Sequence, residues 1–233
     1  MTRGAAQGAA WERPAVSLII PVNNEAQTLA AVVARALPLV DRVLVVDDGS
    51  DDDTAAVAQA AGAELLSHPQ RRGKGAALRS GLEALLPEAT GYLLFMDGDG
   101  QHDPADIPAM LAQLDRRPRP DVVLGCRLRP ETKNDIPRLR YTTNLFGKFV
   151  LSRVTGLDVG DSQTGFRLIR ADRLREIELE STGFEIETEI MLKLSARHLR
   201  LVNVPVSISY HPGRSHYRTV ADTYRVCMAT LRY

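Results

Sequence analysis

The stretch Tyr92-Leu93-Leu94-Phe95-Met96-Asp97-Gly98-Asp99-Gly100-Gln101-His102 runs an unbroken apolar segment straight into two carboxylates one residue apart. A short apolar run bounded by glycines reads as a strand buried on both faces. In open α/β sheets ligands bind outside the carboxyl ends of the strands, where Asp97, Asp99 and Gln101 stand. Two carboxylates on a turn loosened by Gly98 and Gly100 can converge on one hard cation, Mg²⁺ or Mn²⁺, with water and phosphate oxygens completing its shell. An acidic turn that caps a helix opening at Pro104 has the same composition. The strand-end position and the adjacent Gln101 favour the metal.

Outward from this stretch the same alternation recurs. Residues 16–20 read as a first strand ending at Pro21, and residues 25–37 as a helix with Leu29, Val32, Val33 and Leu37 on one face. Residues 43–46 form a second strand ending in Asp47-Asp48-Gly49-Ser50, and a helix closed by Gly62 follows. Residues 63–66 and 121–124 are further strands, 75–86 and 104–114 further helices. Apolar runs alternating with Ala-rich helices predict an α/β fold with a mostly parallel sheet between helices. Beyond Gly125 the rhythm changes. Residues 127–140 read as a charged, exposed, Pro-broken loop, and residues 139–154 as a helix with Leu145, Phe146, Phe149 and Val150 on one side. Residues 166–169 and 201–208 read as strands flanking a helix over 187–199, and Val220, Tyr224, Cys227, Met228 and Leu231 recur at helical spacing. With no repeat, low-complexity tract or linker, residues 15–233 are expected to form one domain after a loose tail, 1–14.

The chain has 233 residues, 44% hydrophobic and 25% charged, an ordinary soluble composition long enough for a sizeable core. Its 29 basic and 29 acidic residues cancel, which argues against a nucleic-acid binder. Cys126 and Cys227 are too few for a disulfide framework and lack metal-ligand spacing, pointing to a reducing, cytoplasmic setting. No apolar run approaches the ~18 residues of a spanning helix.

Two more clusters sit at element ends. An Asp in Asp47-Asp48-Gly49-Ser50 can accept hydrogen bonds from a base or ribose, although turn formation and capping by Ser50 explain it equally well. In Arg71-Arg72-Gly73-Lys74-Gly75, glycines let the backbone approach a phosphate and Lys74 adds a point charge. It is no Walker loop, lacking the upstream glycine and the Ser or Thr after the lysine. A solvated basic turn is the plain alternative.

In order, Ser17-Leu18-Ile19-Ile20-Pro21-Val22-Asn23-Asn24-Glu25, Val45-Val46-Asp47-Asp48-Gly49-Ser50, Gly73-Lys74-Gly75 and Met96-Asp97-Gly98-Asp99-Gly100-Gln101-His102 resemble glycosyltransferase family 2. Asp161-Ser162-Gln163-Thr164-Gly165-Phe166-Arg167 resembles its branch of dolichyl- and polyprenyl-phosphate sugar transferases. The resemblance spans residues 16–216. It implies a GT-A fold, a Rossmann-like sheet with an elaborated C-terminal acceptor region, and an inverting hexosyltransferase using a nucleoside-diphosphate sugar. Residues 15–125 would form the nucleotide-sugar half and 126–233 the acceptor half.

It further implies a donor pocket lined by Pro21, Asn23, Glu25, Val46, Asp48, Lys74, Asp97, Gly98, Asp99 and Arg127, with Asp97, Asp99 and Gln101 holding the metal. Asn23 stands where many relatives have an aromatic residue, and Gly125-Cys126-Arg127 resembles the family's Gly-x-Arg. His216 replaces the lysine of a Ser-Lys pair that closes over the diphosphate in relatives. With an unperturbed pKa of ~6.5, its charge would depend on pH or on the phosphate.

The acceptor decides what other chemistry is needed. A hydroxyl requires a general base, whereas a lipid phosphate is already ionised. Glu187 aligns with the base of relatives that glycosylate hydroxyls, and Asp161 lies near the matching site of the lipid-phosphate branch. Each has a plain structural role: Glu187 as a helix N-terminal carboxylate, Asp161 as a turn former paired to Arg167. Arg127, Arg129, Lys133, Arg138 and Arg140 stand just ahead of the Leu145/Phe146/Phe149/Val150 face, and the terminal segment, read as an amphipathic helix, adds Arg214, Arg218, Arg225 and Arg232. Basic residues beside an apolar face suit a peripheral contact with an anionic membrane surface, here the inner face, although two core-packed helices with solvated arginines look the same.

The expected acceptor is therefore a polyprenyl phosphate, with a soluble hydroxyl acceptor or non-catalytic nucleotide-sugar binding as alternatives. A nucleotidyltransferase would carry a Gly-rich loop ending in Thr-Arg where Pro21-Val22-Asn23-Asn24-Glu25 stands. A receiver-like signalling module, suggested by Leu44-Val45-Val46-Asp47-Asp48, would be about half as long. His68, His198 and His211 read as surface or packing residues.

Overall fold

A computed structural model describes residues 13–128, 132 and 136–209. The strands are β1 (Val16–Val22), β2 (Arg42–Asp47), β3 (Glu64–Ser67), β4 (Tyr92–Phe95), β5 (Val122–Cys126), β6 (Arg167–Arg170) and β7 (Leu201–Pro205). The helices are α1 (Ala26–Ala36), α2 (Thr54–Ala60), α3 (Lys74–Leu85), α4 (Ile107–Leu111), α5 (Arg138–Thr155), α6 (Ala171–Arg175) and α7 (Ile186–Ser195). The sheet order is β3-β2-β1-β4-β6-β5-β7. β6 runs antiparallel to both its neighbours and every other pairing is parallel.

Both faces of the sheet are covered. Val16, Leu18, Ile20 and Val22 of β1 meet Leu29, Val32 and Val33 of α1, while Ile19 faces Leu78 and Leu82 of α3. This two-sided burial is why the strands read as continuous apolar runs. α3 lies so close that a Cβ on Gly81 would come within 2.8 Å of Ile19 Cγ2.

The structure departs from the sequence reading in several places. β1 does not end before Pro21. Ile19 O accepts from Met96 N and Val22 O from Asp48 N, so Pro21, in phase with Ile19, turns its nitrogen towards β4 beyond the last paired residue, Phe95. A proline is tolerated there because no ladder donor is lost. The expected helix 104–114 is instead α4 between two 3₁₀ turns, Pro104–Asp106 and Ala112–Asp115. Pro108, lacking an N–H, interrupts it. In the stretch expected as an exposed loop, Arg127, Leu128, Thr132 and Ile136 are buried. α5 turns Asn144 and Leu151 inward and leaves Leu145, Phe146 and Phe149 exposed. Most of the tail, residues 1–12, and the helical repeat from Val220 to Leu231 lie outside the described residues.

Candidate functional site

β1, β2, β4 and β5 all point the same way, so the segments after Val22, Asp47, Phe95 and Cys126 gather on one edge of the sheet. At its centre Lys74, the first residue of α3, places Nζ 2.5 Å from Asp97 Oδ1 and 2.7 Å from Glu187 Oε1. Burial works against the charge on Lys74, but the two carboxylates outweigh it and raise its pKa. Arg167 closes the inner wall, with Nη2 3.7 Å from Glu187 Oε2 and Nη1 donating to Glu187 O at 2.6 Å. Pro21, Lys74, Asp97, Gly165, Arg167 and Glu187 line a narrow cleft.

The two aspartates are not equivalent. Burial pushes the Asp97 carboxyl up, but Lys74, His102 and Arg127 hold it below the ordinary carboxylate value. Asp99 is pushed up to about 6, by burial first and then by the charge of Asp97. It accepts from Gln101 N at 3.0 Å and from Gln101 Nε2 at 2.6 Å. Gln101 is thus turned onto Asp99 through its amide nitrogen. His102, buried beside them, is pushed down to about 4 by burial and the charge of Arg127. Gly165 lets Asp97 pack against backbone, since a Cβ there would lie 2.5 Å from Asp97 Oδ2.

Among the described residues no three His, Cys, Asp or Glu side chains are grouped to hold a metal ion. Asp97 and Asp99 nevertheless fit one. Both are hard oxygen donors two residues apart on one turn at the strand end, the donor type that a divalent cation takes.

The other expected donor residues divide between cleft and scaffold. Both Asp48 oxygens are engaged: Oδ1 accepts from Arg72 N (2.9 Å) and faces His68 Nδ1 (2.7 Å), and Oδ2 accepts from Gly73 N (2.7 Å). His68 Nε2 in turn meets Ser80 Oγ at 2.9 Å. His68 is therefore part of the frame under Lys74, a role its sequence context did not reveal. Asn23 donates to Asp48 O and Gly49 O, stapling one loop to the next. Glu25 opens α1, with its N–H donating to Thr54 Oγ1. The Val46 side chain packs in the core, leaving only its main chain to face a ligand, and a Cβ on Gly98 would strike Val22. His216 lies outside the described residues.

Asp161 pairs with Arg127, not with Arg167. Arg127 Nε lies 2.8 Å from Oδ2 and Nη2 3.1 Å from Oδ1, a buried bidentate contact, and Gln163 N adds a bond to Oδ1. Burial raises the Asp161 carboxyl, but Arg127 outweighs it and holds it below the ordinary value. Both oxygens are committed.

The mixed seven-stranded sheet with helices on both faces is a GT-A fold, the fold of the solved structures on which it superposes. The sequence profile of glycosyl transferase family 2 matches residues 17–178, and the chain belongs to that family. Undecaprenyl-phosphate mannosyltransferase of Micrococcus luteus is 32% identical over 204 residues, covering 82% of each chain. Polyprenol monophosphomannose synthase of Mycolicibacterium smegmatis is 29% identical over 226 residues, 89% of this chain and 83% of that one. These relatives support the resemblance to the polyprenyl-phosphate branch. Glucosyl-3-phosphoglycerate synthase of Mycobacterium tuberculosis, crystallised with Mn²⁺, uridine-diphosphate-glucose and phosphoglyceric acid, shares the fold. It superposes with a TM-score of 0.74 at 23% identity over 94% of this chain and 79% of that one.

Proposed function

We propose that this protein is an inverting, metal-dependent hexosyltransferase that moves a sugar from a nucleoside diphosphate to a polyprenyl-phosphate-type acceptor. The observation that carries the donor half is the Lys74–Asp97–Glu187 cluster beside Asp99 at the carboxyl edge of the sheet. Asp97 and Asp99, with Gln101 positioning the second, would hold Mg²⁺ or Mn²⁺, which when bound supplies Lewis-acid neutralisation of the leaving diphosphate. Lys74 adds a fixed positive charge in the same cleft. Pro21, Glu25 and the main chain at Val46 would border the nucleotide, while Asn23 and Asp48 act from behind by holding the loops. Arg167 is the cation that the acceptor half turns into the cleft, and Arg127, held by Asp161, would add its charge from behind. On this reading residues 15–233 work as one domain, with donor half 15–125 and acceptor half 126–233.

Two observations support a lipid acceptor: the names of the relatives, and the outer face of α5. Leu139, Phe146, Phe149 and Val154 are 64%, 59%, 68% and 54% exposed on a helix that also carries Arg138, Arg140, Lys148 and Arg153. Among the described residues no helix is long and apolar enough to cross a membrane. A basic helix with exposed aromatics suits one lying in an anionic interface. Full burial of a Phe side chain stabilises by about 1.5–3 kcal/mol. The double variant Phe146→Ser/Phe149→Ser should therefore lose at least about tenfold in sedimentation with phosphatidylglycerol vesicles. Its melting temperature should stay near wild type. Equal sedimentation of the two proteins would remove the membrane contact.

A soluble hydroxyl acceptor is the second reading, favoured by Glu187, a buried carboxylate in the cleft. General-base catalysis contributes ~10²–10⁴-fold. Glu187→Gln still accepts a hydrogen bond from Lys74, so transfer to polyprenyl phosphate should fall less than about tenfold, whereas transfer to a hydroxyl should fall by at least about 10². A hundredfold loss with the lipid phosphate would make Glu187 essential to that reaction and contradict the assignment.

A further inference from the structure

Lys74 has a second set of constraints, on its backbone. Gly75 N and Ala76 N donate to Thr182 O at 2.8 and 3.3 Å. The fit is tight: a Cβ on Gly73 would lie 2.3 Å from Thr182 O, and one on Gly75 2.5 Å from Ser181 O. The strip bearing these carbonyls is held from beneath by the Glu189 carboxylate. Glu189 Oε1 accepts from Glu180 N and Oε2 from Ser181 N, both at 2.9 Å, and Lys193 Nζ stands 2.8 Å from Oε1. Glu189 is fully buried two residues beyond Glu187 and on another side of the helix, so α7 reaches Lys74 twice: Glu187 at the amine, Glu189 at the main chain through residues 180–182.

We propose that Glu189 is a positioning residue for the donor diphosphate, fixing the Gly73-Lys74-Gly75 turn against the 180–182 strip so that the Lys74 ammonium is held in the cleft. The proposal rests on the donor reading above. Burial pushes the Glu189 carboxyl up, but Lys193 and the two amides outweigh it and hold it at about 2. A carboxyl held that low is ionised at neutral pH. Gln at this position keeps one acceptor oxygen and turns an amide group towards the other N–H, so one of the two strip contacts must break.

The test compares wild type with Glu189→Gln by hydrogen exchange and by titration with UDP, GDP and dTDP, each with Mn²⁺. Amides of Gly75, Ala76, Glu180 and Ser181 should exchange at least about tenfold faster, those of β1 and β4 within about twofold of wild type. The dissociation constant of whichever nucleotide binds wild type should rise at least about tenfold. If Glu189→Gln does not fold, Lys193→Met removes the supporting ammonium and should show the same local pattern more weakly. Faster exchange spread evenly over β1 and β4 would make Glu189 a general stabiliser and overturn the proposal, as would unchanged nucleotide affinity. Wild type that binds none of the three nucleotides would fail the donor reading, and the proposal with it.

Discussion

Asp161→Asn is expected to destabilise the fold by about 3–5 kcal/mol, the cost of removing one partner from a buried ion pair. Arg127 is 4% exposed and Asp161 0%, and their contact is bidentate at 2.8 and 3.1 Å. Asparagine is nearly isosteric but uncharged, so the guanidinium would stay buried without its counter-charge. It would also turn an amide group towards a group that only donates. Against a total stability of ~5–15 kcal/mol, the loss should move the urea midpoint far down with little change in slope.

The pH dependence has a definite sign. The Asp161 carboxyl lies below its ordinary value of 3.8, so its contribution is present above that value and is lost as pH falls through the lower folded value. The gap between wild type and variant should be constant from about pH 5 to 8 and should close only in strong acid. A gap under about 1 kcal/mol, or one that closes near neutrality, would mean that the pair is solvated.

The second large effect is functional. Asp99→Ala should abolish metal-dependent nucleotide binding and lower transfer by at least about 10³, a loss of roughly 4 kcal/mol of transition-state stabilisation. The fold should survive, because among the described residues the side chain accepts from Gln101, its neighbour two residues on. Its carboxyl is pushed up to about 6 by burial and by Asp97, so removing it relieves charge repulsion. The melting temperature should hold or rise. Unchanged turnover would sink the metal assignment.

The parallel part of the fold was legible because strands buried on both sides are continuous apolar runs punctuated by glycine, as in Tyr92–Phe95. The place of β6 was not. Nothing local in Arg167–Arg170 shows that it inserts antiparallel between β4 and β5. The site was legible in kind and obscure in partnership. Lys74 and Glu187 are 113 residues apart and Arg127 and Asp161 are 34 apart, so no spacing rule connects them. Polar residue types announce hydrogen bonds without naming the partner. Asp48 and Asn23 therefore read as ligand contacts although their polar atoms hold loops, and His68 read as a surface or packing residue although it hydrogen-bonds Asp48. The face of α5 was visible in the sequence, but its outward direction came from the inward packing of Asn144 and Leu151.

The most direct measurement of the central claim is a thermal-shift panel of UDP, GDP and dTDP sugars, each with and without Mn²⁺ or Mg²⁺, on wild type and Asp99→Ala. A ligand at 100 times its dissociation constant stabilises by ~2.7 kcal/mol. A shift of that size is expected for one nucleotide class, present only with the divalent cation and absent in Asp99→Ala. A folded wild-type protein that shifts with none of the sugars, or shifts equally without the cation or with Asp99 removed, would contradict it.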